Sequence, residues 1–127
     1  MEHIPQSKAQ RFENGAVTSW EYEMHNANLN VAPISIKGRY PETGYTSNQV
    51  SDSIVHIIDG SGLLATNNGA SVELAKNDQV HLAVGDAYYF EGILEIISST
   101  CSFRPVNTIF WIISLAKKST KSLSVTS

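Results

Sequence analysis

The chain of 127 residues has a single cysteine, Cys101, so no disulfide within it can be formed. It has no long hydrophobic run either. The longest apolar stretch, residues 109–116, is broken by Ser114 and is far too short to span a bilayer, which excludes membrane insertion through a helix. Basic residues are scarce: nine Lys and Arg stand against twelve Asp and Glu, and Lys117, Lys118 and Lys121 all fall in the last eleven positions. Residues 1–116 therefore carry six basic and twelve acidic groups, and a body this acidic argues against binding a nucleic-acid backbone. The chain opens on no charged segment followed by an apolar one, so a reduced, cytoplasmic setting is expected. Internal repeats and low complexity are missing before Lys117, and helical periodicity is nearly so.

What remains is dominated by alternation with period two. Hydrophobic residues make up 42% and charged ones 17%, which is enough apolar material for one buried core. Nine short segments read as strands: AVTSWEYEM (16–24), LNVAPISIK (29–37), SIVHII (53–58), LLAT (63–66), SVEL (71–74), QVHLAV (79–84), AYYF (87–90), ILEIIS (93–98) and TIFWIISL (108–115). Gly, Asn, Asp and Ser turns join them, and Asn67-Asn68-Gly69-Ala70 is a hairpin signal because its central residues tolerate positive φ. Such spacing predicts an all-β sandwich or barrel, a single domain over residues 1–116, with a polar, basic tail from 117 to 127. In the first segment Trp20, Tyr22 and Met24 share one face, while Ser19, Glu21 and Glu23 share the other, with the acids on the solvated side.

The turn Asp59-Gly60-Ser61-Gly62 after a β-branched strand, the Asn-Gly hairpin and the following AKNDQVHLAVGDAYYFEG together resemble a small single-domain cupin over residues 29–115. The resemblance implies a jelly-roll β-barrel, or double-stranded β-helix. Its closest echo is Gly38-Arg39-Tyr40-Pro41 ahead of the first motif and Tyr88-Tyr89-Phe90 within the second. With Gly60 as the closing glycine, the motif's glutamate falls on Ser53 and its two histidines on Ser47 and Gln49, or on Thr46 and Asn48 with the longer spacing. In the second motif Asn77 takes the leading glycine, Ala83 the proline, Gly85 the turn glycine, Tyr88 the histidine and Gly92 the asparagine. The spacing is kept and the ligands are not. Hydroxyls, amides and a phenol are poor ligands for iron, zinc, manganese or nickel, which want imidazole and carboxylate lone pairs. No cofactor is therefore expected.

The same residue types hold neutral polar ligands by hydrogen bonds inside an apolar concavity. The expected function is a metal-independent barrel that binds a small sugar-like or organic-acid-like ligand, through Tyr88, Gln49, Ser47, Ser53 and Glu95, with Arg39, Tyr40 and Tyr45 at the mouth. A homodimer is also expected, with AVTSWEYEM as the candidate edge. Two alternatives stand beside this. One is an isomerase, epimerase, lyase or dioxygenase using Glu95 and Tyr88, or a metal held by His25, His56 or His81. The other is a dimeric interaction module whose barrel is filled by its own side chains. Counting from Ser53 puts Ser53, Val55 and Ile57 inward and His56 outward.

Overall fold

A computed structural model describes residues 1–101. After a single 3-10 turn, Gln6–Lys8, come seven strands: β1 (Gln10–Asn14), β2 (Val17–Glu21), β3 (Leu29–Tyr40), β4 (Ser53–Thr66), β5 (Ser71–Leu74), β6 (Gln79–Leu82) and β7 (Tyr88–Cys101). Residues 108–115, read above as a strand, and the tail from 117 lie outside the described residues. Every pairing is antiparallel, in the order β1-β2-β3-β7-β4-β5. β6 pairs with the first half of β4 (Ser53 to His56), and β5 with the second half (Gly62 to Ala65). The sheet is not closed among these residues. None of their helices is long and apolar enough to cross a membrane.

Alternation decides which side becomes the core. Along β4, Ser53, Val55 and Ile57 are buried, while Ile54 and Ile58 are exposed. Ile36, Ile57 and Leu94 are fully buried, and Val55, Leu64, Leu74, Leu82, Phe90 and Ile96 pack around them. On β2 the inward face differs from the aromatic one. Val17 stands opposite Ile36 and Ser19 opposite Ile34, so these small residues complete the core while Trp20 turns outward under Arg11. β2 also lies between β1 and β3, so the open edge belongs to β1 and not to AVTSWEYEM.

Fewer, longer strands replace the nine short ones because three glycines mark close approach and not turns. Asp59-Gly60-Ser61-Gly62 lies inside β4, which runs straight on after a bulge between Ile57 and Asp59. AYYF and ILEIIS are likewise one strand, β7, passing through Gly92. Gly62 and Gly92 are directly paired, and a Cβ on Gly92 would sit 2.6 Å from the Gly62 Cα. The two backbones meet there with no room for a side chain. The Asn67–Ala70 hairpin forms as its residues predict: Gly69 has φ +95°, and the Thr66 N–H donates to the Ala70 carbonyl at 2.8 Å.

Candidate functional site

Two positive-φ positions keep the second-motif geometry. Asn77 has φ +73° and Gly85 φ +86°, so the asparagine holds the left-handed conformation that its motif's leading glycine would take. The turn at Gly85 is docked on the 46–52 segment, with the Gly85 N–H donating to the Asn48 carbonyl at 2.8 Å. Asn48 Oδ1 accepts from the backbone N–H groups of Val50 and Ser51, which shapes that segment from within. Asp52 closes it: Oδ1 accepts from the Val84 N–H at 3.0 Å and Oδ2 lies 3.1 Å from His81 Nε2. The bond with His81 and then that from Val84 hold the Asp52 carboxyl below its ordinary range. Protonation of Asp52 as pH falls through that lowered value thus weakens the latch.

These contacts bring Tyr40, Thr46 and Tyr88 together on the inner side. Thr46 and Tyr88 exchange both backbone hydrogen bonds, at 2.9 and 2.8 Å, and Thr46 is buried. Tyr40 and Tyr88 both pack against the core, and Phe90 lies edge-on to Tyr88 at 5.6 Å between ring centroids. The Tyr40 phenol is pushed well above its ordinary value by burial first and then by the neighbouring Tyr88, against an opposing hydrogen bond with the Thr46 side chain. Burial raises the Tyr88 phenol to about 12.

The other residues singled out in the sequence are placed elsewhere. Ser53 is buried, but it pairs with Leu82 and Thr100, at the far end of the β4–β7 ladder from the Thr66–Tyr88 pair. Gln49 is exposed and donates through Nε2 to Ser47 Oγ at 2.6 Å. Glu95 is on the outer face, because its neighbours Leu94 and Ile96 take the inner one, and it accepts from Ser35 Oγ at 2.8 Å. Arg39 is outside as well. Its guanidinium stacks 3.9 Å from the centre of the Tyr89 ring and donates to the Pro41 and Gly44 carbonyls, while Tyr45 packs against Tyr89 at 5.6 Å. Arg39 and Tyr45 thus clamp the 41–45 segment that follows Tyr40. Thr46 entered the sequence reading only through the longer motif spacing and Tyr89 only through the Tyr88-Tyr89-Phe90 step, and the pairing of Asp52 with His81 had no role there. Only the pairing of distant segments exposes them.

The residues at the motif positions do not fit a divalent metal. Asn48 Oδ1 is already taken by two N–H groups, and Tyr88 holds its proton until strongly alkaline pH. The histidines do not gather there. His56 Nδ1 lies 3.2 Å from Gln79 Oε1, His81 faces Asp52, and the His25 N–H donates to the Glu2 carboxylate. Among the described residues no three His, Cys, Asp or Glu side chains gather as a metal site.

The buried phenol has a measurable signature. Its folded value lies above the ordinary 10.0, so the native state holds the Tyr88 proton more tightly than the unfolded chain does. The stability tied to the neutral phenol is complete below pH 10 and is lost as pH rises from 10 to about 12. That interval is worth about 3 kcal/mol. Urea titrations across it should show a steep decline in the wild type and a shallower one in Tyr88→Phe, with Tyr40 responsible for what remains. Equal slopes would show that Tyr88 is not buried as described.

This antiparallel all-β arrangement is a cupin-type jelly-roll barrel fold. No protein-family model matches the chain, and no curated protein does. Solved structures match over most of its length: the Streptomyces nucleoside dehydratase Pac13 at 14% identity, covering 82% of this chain and 85% of that one, with a TM-score of 0.72. Ectoine synthase from P. lautus gives 9% identity, 88% and 86% coverage and a TM-score of 0.70. The polyketide cyclase RemF from Streptomyces resistomycificus gives 13%, 83% and 82%, and 0.64. Variants of Streptomyces PAC13 are among the matching structures, with uridine. At these identities the likeness carries the fold, and the chemistry must be argued from this chain's own residues.

Proposed function

We propose that the protein binds a small polar molecule inside its barrel, anchored by the Tyr88 hydroxyl with Tyr40 and Thr46 beside it. One observation carries this reading: Tyr88 lies on the inner side against the core, joined to Thr46 by two backbone hydrogen bonds and next to Tyr40, and burial pushes its phenol up to about 12. A protonated phenol hydroxyl among apolar side chains is a group that can donate to a ligand oxygen. The match to barrels named as a nucleoside dehydratase and a polyketide cyclase supports a small-molecule role. Acid–base turnover by Glu95 finds less support, because that carboxylate is spent on Ser35 outside the barrel. Tyr88 holds its proton at neutral pH and so acts as a donor, not a base.

A thermal-shift screen of sugars, nucleosides and organic acids tests the reading. A compound held only by the native state at 100 times its Kd adds about 2.7 kcal/mol, or a rise of about 10 °C for a chain of this size. The rise should be largely lost in Tyr88→Phe, which removes one oxygen and keeps the ring. A hit that shifts both proteins equally would place the ligand elsewhere, and no hit across the panel would remove the proposal.

A further inference from the structure

We propose that residues 108–115 of this chain, TIFWIISL, lie across an apolar hollow on the outer side of the sheet, where the start of β3, the residues after β2 and the N-terminal arm come together.

The hollow is built from three directions. Leu29, Val31 and Pro33 fall on one side of β3, while Ile34 and Ile36 fall on the other and pack in the core. Tyr22 and Met24, beyond the end of β2, line the same space, and Met1 closes it from the arm. The arm is held there by the Glu2 carboxylate, which accepts from the backbone N–H groups of His25 and Asn26 at 2.9 to 3.1 Å. The enclosed volume is about 630 Å³. Leu29 is 64% and Val31 44% exposed, and a concave hydrocarbon face of this kind marks a place where another surface docks.

The described residues end at the rim of this hollow, because Cys101, the last residue of β7, is paired with Leu29. Residues 102–107 then reach about 20 Å when extended. Leu29 to Pro33 spans only about 13 Å. TIFWIISL can therefore return over the hollow, and its composition suits that place: apart from Thr108 and Ser114 its residues are all large and apolar, and none is charged. Burying them against Leu29, Val31 and Met24 removes hydrocarbon from water on both surfaces at once. A second copy of the chain offers the same apolar chemistry, but residues 108–115 are already tethered beside the hollow by a short connection, at an effective concentration of millimolar order.

The test is made on the full chain carrying Trp20→Phe, which leaves Trp111 as its one tryptophan. In dilute native solution Trp111 should emit to the blue of the urea-unfolded chain, and acrylamide should quench it several-fold less. Leu29→Asp and Val31→Asp, each added to that protein, should move both readings toward those in urea. Ile93→Asp, at an exposed position of β7 opposite Lys37, should leave them unchanged. A Trp111 as accessible in the native protein as in urea overturns the proposal. So does a shielded Trp111 that ignores both substitutions in the hollow, since the segment then lies elsewhere. Shielding that fades on dilution, together with a dimer in sedimentation, gives the hollow to a second copy and overturns it as well. Should either Asp variant fail to fold by circular dichroism, Leu29→Ser and Val31→Ser take its place with the same expected direction.

Discussion

Gly60→Ala is expected to cost about 3 kcal/mol or more, enough to leave much of the protein unfolded at ordinary growth temperatures. Two effects add. Gly60 has φ +93°, where an L side chain is strained, and its added Cβ would fall on the Ile93 carbonyl oxygen, with the Leu94 Cα only 3.1 Å away. Backbone on the facing strand cannot step aside as a side-chain tip can, so β4 and β7 would have to part where their ladder is most tightly drawn. Gly69→Ala is the control. Gly69 has a similar φ of +95°, but nothing lies within 4 Å of the position its Cβ would take. Urea unfolding should put the control near 1 kcal/mol, the strain alone. If the two variants lose the same stability, close approach of the strands plays no part.

Leu94→Ala should be of comparable size, about 2–5 kcal/mol. Leu94 is completely buried, and its Cδ1 lies 3.0 Å from where a Gly62 Cβ would be, so it fills the space that Gly60 and Gly62 leave open. With glycines on that side, no neighbouring side chain can swing in to close the cavity. Ile93→Ala provides the contrast on the same strand: Ile93 is 66% exposed, and its truncation should stay within about 0.5 kcal/mol. Similar losses from both would mean that the inner and outer sides of β7 have been exchanged.

The two variants probe the place where local sequence signals and the folded chain part company. Gly60 and Gly62 next to Asp59 and Ser61 carry every local mark of a turn, and glycine is the common turn former. The same absence of a Cβ also allows two strands to touch, and nothing within the segment distinguishes the uses. The partner decides: Gly62 faces Gly92, thirty residues away in the chain, and the small-on-small pair makes sense only across the ladder. Ser53, Val55 and Ile57 were legible as the inner face because period two is a property of the strand itself. The Asn67–Ala70 hairpin was legible for a similar reason, since its φ demands are met by its own residues.

The candidate site divides along the same line. Tyr88 could be singled out from motif spacing, and Asn77 keeps the left-handed backbone of the glycine it replaces. Arg39 could be seen near Tyr40, but whether a cation faces a ligand or holds a loop depends on what lies beneath it. Here that is Tyr89, from a strand almost fifty residues later. Glu95 among isoleucines was ambiguous in the same way, until the burial of Leu94 and Ile96 set it outside.

By itself, then, the sequence determined that this is an all-β chain and which residues alternate together. These depend on contacts between near neighbours and on the chemistry of each side chain. The tertiary structure alone decided which faces of AVTSWEYEM and ILEIIS are inside, which glycines are meeting points and which polar groups are already spent. Those outcomes depend on pairings across long stretches of chain, and a polar group acquires its meaning only from the partners that surround it.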